Sequence, residues 1–176
     1  MTMRHRLIKK ALLFIPLVLF LILGIAFYSQ LGKNTQYMPS ALIGQKVPAF
    51  NLISLNSDQI ITQDDLPNTP YLINFWGTWC PACHVEHPFL TTLADDGVVI
   101  VGIDYKDEKA LAKQWLEEKG DPYLMVLMDE IGHFGVDMGI TGAPETFVVN
   151  SSGAIVYRLQ GVVSESNWST IQGYLK

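Results

Sequence analysis

The sequence predicts an α/β fold, a mixed central sheet flanked by helices on both faces, with one apolar helix ahead of it. Three observations carry that expectation. From residue 71 onward, short apolar runs of strand length alternate with segments of helical periodicity. The alternation ends in two strands around a turn and a last helix, so parallel and antiparallel neighbours must share one sheet. Near the N-terminus, 18 consecutive residues carry no charge. The 176 residues are 49% hydrophobic and 16% charged, with 14 Gly and 9 Pro. That composition excludes a disordered tail, a collagenous repeat and a coiled coil.

The N-terminal part is ordered by charge. Residues 1–10 hold Arg4, Arg6, Lys9 and Lys10 and no acid. The uncharged run is Ala11 to Tyr28, residues 11–28; as a helix rising ~1.5 Å per residue it nearly spans a bilayer core of ~30 Å. Cations ahead of such a run place residue 1 in the cytoplasm and everything after Tyr28 outside. A cleaved signal peptide competes, because Gly24-Ile25-Ala26 offers small residues for processing. The run is long for that purpose, and an uncleaved transmembrane anchor is expected. Residues 29–44, with Gly32, Asn34, Gln36, Pro39 and Gly44, read as a linker. Residues 45–176 then form one domain with a single core. Residues 1–33 carry five of the 12 Lys and Arg and no acid, which leaves seven against 17 Asp and Glu in the remainder, a net of −10. So acidic a body lacks the basic stripe that nucleic acid requires, and no nucleic-acid partner is expected.

Within the domain, Tyr71 to Trp76 reads as a buried strand, Pro81 to about Asp95 as a helix and Val98 to Ile103 as a second strand. Asp107 can cap a helix from Glu108 to Lys119 that Gly120 stops, and Tyr123 to Met128 reads as a strand. A short helix around Ile131 to Met138 leads to Gly142-Ala143-Pro144. Strands Thr146 to Val149 and Ala154 to Gln160 flank the turn Asn150-Ser-Ser-Gly153, and Ser164 to Lys176 reads as the terminal helix.

The chemistry sits in Trp79-Cys80-Pro81-Ala82-Cys83, which contains both cysteines of the chain. One helical turn brings the sulfurs within bonding reach. The first lies at the helix N-terminus, where unpaired N–H groups and the dipole favour a thiolate. Cys80 is therefore expected as the exposed attacking sulfur, and Cys83, a turn deeper, as the resolving one. Pro81 suits the first turn, having no N–H to leave unsatisfied. Other uses of the pair compete. A structural disulfide closing so short a loop removes little chain entropy. Zinc would need more ligands than His84 and His87 supply. The third competitor is sharper: Cys80, Cys83 and His84 match the signature of c-type haem attachment, and the chain has six Met that could supply a distal ligand. A hydrophobic strand just upstream argues against it, since it commits both cysteines to a packed sheet edge.

Asn74-Phe-Trp-Gly-Thr-Trp-Cys-Pro-Ala-Cys83, Pro88 in the following helix and Gly142-Ala143-Pro144 together resemble a thioredoxin fold. More narrowly, WCPACHVEH (Trp79 to His87), VGIDYKD (Val101 to Asp107), GAPETF (Gly142 to Phe147) and the anchor resemble the DsbE/CcmG thiol:disulfide interchange proteins of bacterial cytochrome c maturation. The resemblance covers nearly the whole chain. It implies a thioredoxin-like fold with an αβ insertion from about Asp107 to Met128. It also implies a periplasm-facing reductase, held in the bacterial inner membrane by a single N-terminal helix, that works with a redox-active Cys80–Cys83 disulfide and no cofactor or metal. The implied partners are apocytochrome c, or thiol proteins of cytochrome c maturation, and a membrane thiol-transfer reductant of the DsbD/CcdA kind.

The resemblance makes Cys80 and Cys83 the redox pair and Pro144 a cis-proline facing them, with Ala143 offering backbone to a partner strand. An ordinary trans turn proline is the alternative for Pro144. Glu86 lies three residues beyond Cys83 on the same helix face, and Glu145 follows the proline. Carboxylates beside a thiol disfavour its thiolate, so the site is expected to reduce rather than oxidise. Asn74 stands where thioredoxins generally carry a buried Asp, which puts weight on Glu86 as the acceptor of the Cys83 proton. Trp79, Pro81, Ala143, Pro144 and Glu145 are the expected substrate contacts, Trp79 packing beside Cys80. Trp76 and Trp115 are expected in the core, and neither His84 nor His87 is given a catalytic role. A redoxin-type peroxidase is discounted because Gly77 and Ile73 occupy the places of its framing Thr and Pro. Asn150 and Asn167 match glycosylation acceptors, which matter only in a eukaryotic secretory path.

Overall fold

The structure is a computed structural model that describes residues 3–30 and 41–175. It divides into two units, 1–37 and 38–176. The first unit contains helix α1, Met3–Gln30, with Pro16 inside it. Side chains of this helix are described for 15–28, where the large apolar ones from Ile15 to Tyr28 are exposed. Among the described residues no helix is long and apolar enough to cross a membrane. Most of the expected linker, residues 31–40, lies outside the described residues.

The second unit is built on one seven-stranded sheet. Its elements are β1 (Asn51–Ser54), β2 (Ile60–Thr62), a 3-10 turn (Gln63–Asp65), β3 (Tyr71–Trp76), α2 (Pro81–Asp95), β4 (Ile100–Tyr105), α3 (Lys109–Lys119), β5 (Met125–Asp129), α4 (His133–Asp137), β6 (Glu145–Val149), β7 (Ile155–Gln160) and α5 (Glu165–Gln172). The spatial order is β2-β1-β5-β4-β3-β6-β7. β3, β4 and β5 run parallel, and the remaining pairs are antiparallel. Every residue of β3 is buried, as expected for a central strand covered on both faces.

Because side chains alternate across a strand, the sheet separates two cores. Leu72, Trp76, Ile100 and Val148 pack with Cys80, Cys83, Leu90, Trp115 and Tyr123 on one face. Ile73, Phe75, Val101, Ile103, Phe147 and Val149 pack with Phe134 and Met138 on the other. Trp76 and Trp115 are in the core as expected, their rings stacked at 4.9 Å.

The structure changes several boundaries. β4 and β5 begin two residues later than expected and run on through Tyr105 and Asp129. The terminal helix stops at Gln172, with Ser164 and Asn167 forming a capping box at its start. β1 and β2 carried no sequence signal, since they are short and only Leu52 among them is buried. Asp107 does not make the expected side-chain cap in α3. The N-cap is Glu108, and the Asp107 carboxylate accepts hydrogen bonds from the N–H groups of Glu108, at 2.7 Å, and Thr78, in the loop leading to Cys80.

Candidate active site

The strand β3 ends at Trp76, and four residues later the chain enters α2 with Cys80 as N-cap and Pro81 at the first helical position. Gly77 is required between them: a Cβ there would lie 2.5 Å from the Trp79 indole nitrogen. Trp79 folds back across this glycine and donates from Nε1 to the Tyr105 carbonyl at 2.9 Å, yet remains 49% exposed. It is an apolar surface fixed beside the cysteines. Cys80 and Cys83 are joined in a disulfide with Cα atoms 5.3 Å apart. Cys80 Sγ also accepts from the Cys83 N–H at 3.1 Å, so the sulfur occupies the positive end of the helix.

One expectation fails here. Cys80 is as buried as Cys83, at 2% against 3% exposure. The Cys80 sulfur folds over the helix N-terminus, and Ala82 and Ala143 pack against the cluster that contains both sulfurs. The Ala143–Pro144 bond is cis, as the resemblance implied. Pro144 is buried, and its carbonyl accepts from Gly161 N at 2.9 Å. Pro81 is exposed at the helix start.

Glu86 lies one turn beyond Cys83 and is 1% exposed. Its Oε1 accepts from Asn74 Nδ2 at 2.6 Å and its Oε2 from Val163 N at 3.0 Å. Burial pushes its carboxyl up to about 7, against the two donated hydrogen bonds, which favour the ionised form. A carboxyl so placed accepts and releases a proton near neutrality.

Glu145 behaves differently. It is the register partner of Phe75 and alternates with Thr146, so its side chain lies on the sheet face away from α2 and the sulfurs. There it is buried against Arg158 in an ion pair and accepts from the Thr141 N–H at 3.1 Å. The expected action of Glu145 on the thiols is thus corrected: it is a neutralised buried anion that ties β7 to the loop before β6. His84 is exposed, with Nε2 3.0 Å from the Thr78 carbonyl. His87 is buried and donates from Nε2 to the Gly120 carbonyl at 2.9 Å; burial lowers its proton affinity, so it is a neutral clamp on the end of α3. Among the described residues no three of His, Cys, Asp and Glu converge as a metal site.

Two residues near the site were missed. Tyr123, two residues ahead of β5, donates to Asn74 Oδ1 at 3.0 Å, although the sequence showed it only as the start of a strand. Asp104 is fully buried on the sulfur-bearing face beside Trp76, and among the described residues no N–H or O–H group donates to its carboxylate oxygens. Burial, then the charges of Asp107 and Glu130 and a side-chain hydrogen bond with Asp107 that favours the protonated form, push its carboxyl up to about 8. Its only sequence signal is an acid continuing an apolar strand.

Comparison with known proteins agrees with this geometry. Residues 42–175 match the Redoxin family model. The chain is 46% identical over 161 residues to the thiol:disulfide interchange protein DsbE of Pseudomonas aeruginosa, covering 91% of this chain and 89% of that one. It is 48% identical over 167 residues to DsbE of Haemophilus influenzae, with 92% of each chain covered. The crystal structure of a thiol:disulfide interchange protein of the thioredoxin family from Chlorobium tepidum superposes with a TM-score of 0.61 at 26% identity, covering 74% of this chain and 96% of that one. A thioredoxin-like sheet, a disulfide at the start of α2 and identity of this extent over nearly the whole length place the chain in the Redoxin family, among the DsbE thiol:disulfide interchange proteins.

Proposed function

We propose that this thiol:disulfide oxidoreductase is a membrane-anchored, periplasm-facing reductant of the CxxCH cysteines of apocytochrome c, or of the thiol proteins that mature it. In the reduced protein, the Cys80 thiolate attacks a substrate disulfide. One substrate thiolate leaves and a mixed disulfide forms. Cys83 gives its proton to Glu86, and its thiolate attacks Cys80 Sγ, releasing the second substrate thiolate, which takes up a proton. Two electrons pass to the substrate, and the Cys80–Cys83 disulfide remains. A membrane thiol-transfer protein of the DsbD/CcdA kind then returns two electrons to the pair.

The observation that carries this reading is the buried Glu86 carboxyl one turn below Cys83, with its proton affinity near neutrality. An anionic carboxylate there disfavours the neighbouring thiolate and so stabilises the disulfide relative to the dithiol, which makes a reductant. With Glu145 neutralised by Arg158, this bias rests on Glu86. Trp79, Pro81 and Ala143 form the surface offered to the substrate. Anchoring is supported by the sequence alone, in the uncharged run of residues 11–28 behind four cations.

The test is a redox titration of the full chain in detergent, coupled to exchange with an oxidised peptide containing CxxCH. A reducing potential, and exchange abolished by Cys80→Ser, are expected. Covalent haem on Cys80 and Cys83, or cytochrome assembly that survives Cys80→Ser and Cys83→Ser, would overturn the reading.

A further inference from the structure

We propose that Tyr123, two residues ahead of β5, is a positioning residue that acts through the Asn74 amide to set the proton affinity of Glu86. This rests on the role given to Glu86 above.

The geometry is a buried chain of hydrogen bonds. Tyr123 Oη donates to Asn74 Oδ1 at 3.0 Å, and Asn74 Nδ2 donates to Glu86 Oε1 at 2.6 Å and to Thr146 Oγ1 at 3.0 Å. Both amide hydrogens and the amide oxygen are therefore engaged. The phenol has one proton to give, and Asn74 Oδ1 is where it goes. Turning the amide over would set its oxygen against the Glu86 carboxylate and leave the phenol proton without that acceptor, a costly arrangement in a buried site. Donation into the amide oxygen also polarises the amide and strengthens its N–H donors.

The sheet is shaped to let Tyr123 reach this place. Asn74 pairs with Gly102 in register, and a Cβ on Gly102 would lie 2.8 Å from Tyr123 Cγ. The tyrosine ring crosses β4 over the one residue there that has no side chain, and it stacks on Trp76 at 5.5 Å. The ionisable groups around this ring are Glu86, Asp121, Asp104 and neutral His87, at 6.4 Å from its centre. No cation acts on Glu86 through these groups, so its ionised form depends on the hydrogen bonds from Asn74 and Val163.

The test uses the full chain in detergent, with ¹³C-carboxyl-labelled glutamate to follow Glu86 by NMR and the pH profile of disulfide exchange measured alongside. Tyr123→Phe keeps the ring and its stacking. Its expected effect is to move the Glu86 titration, and the matching limb of the rate profile, to higher pH by about one unit, a tenfold change in proton affinity. In an Asn74→Ala background the same substitution should give no further shift. A Glu86 titration unmoved by Tyr123→Phe, or moved equally without Asn74, overturns the proposal. If Glu86 shifts but Glu86→Gln leaves the rate profile unchanged, the coupling stands and the role of Glu86 in resolving the mixed disulfide falls.

Discussion

At the scale of single residues, two glutamates that look alike in the sequence are driven apart by their surroundings. Glu86 meets two neutral donors and no cation, whereas Glu145 meets a guanidinium. Glu86→Gln should lower the Cys80 pKa read from thiolate absorbance and slow the resolving step about 100-fold at neutral pH, the usual weight of a general base. An unchanged Cys80 titration would refute its electrostatic role. Arg158→Met, by contrast, should cost about 3–5 kcal/mol in chemical unfolding because it strands the buried Glu145 anion, and should leave the Cys80 pKa alone. A thiol shift in that variant would contradict the placement of Glu145 on the far face. Sequence spacing sufficed to bring Cys80, Cys83 and Glu86 together, since they follow one helix, but not to show that Cys80 is buried. It misplaced Glu145 because proximity to Pro144 along the chain says nothing of the face a strand residue takes, and Arg158, 13 residues away, gave no local cue.

The elements carry the site through their connections. The loop before α2 is fastened at two points, Thr78 N on the Asp107 carboxylate in the loop after β4 and Trp79 Nε1 on the carbonyl of Tyr105 at the end of β4. Asp107→Ala should therefore speed exchange of the Thr78 amide with deuterium and weaken reactions at Cys80, with little loss of α3, whose first turn Asp107 does not cap. If the helix frays instead, the loop-fastening role is wrong. Gly102→Ala should destabilise the fold by about 1–3 kcal/mol through overpacking, and shift the Glu86 titration in the same direction as Tyr123→Phe. The alternation of strands and helices from residue 71 onward was legible because each element there is long or buried enough to show its period. β1 and β2 were not, since strands of four and three residues that bury a single side chain leave no pattern to read. The reach of Tyr123 across β4 was equally hidden, because a contact between residues 49 apart depends on strand order.

For the molecule as a whole, the acidity of the folded unit extends into its interior, and that has a consequence for stability. No N–H or O–H group among the described residues donates to Asp104, and burial, the nearby anions and a hydrogen bond with Asp107 push its carboxyl from its ordinary 3.8 up to about 8. The native state therefore retains a proton between pH 4 and 8 that the unfolded chain gives up. With more protons bound in the native state, stability falls as pH rises through this window, by about 1.4 kcal/mol per pH unit for this group. Glu86 acts in the same sense between its ordinary value of 4.5 and about 7, while buried neutral His87 acts in the opposite sense below 6.5. The total slope is thus a mixture, and the diagnostic quantity is a difference between variants. Asp104→Asn removes one titrating group without adding bulk. Urea unfolding of the oxidised chain should show the variant gaining on the parent by about 1.4 kcal/mol for each unit from pH 5 to 7, and levelling above 8. A difference that stays flat across this range would mean that Asp104 is already ionised in the folded protein, and that burial and the charges of Asp107 and Glu130 do not hold its proton.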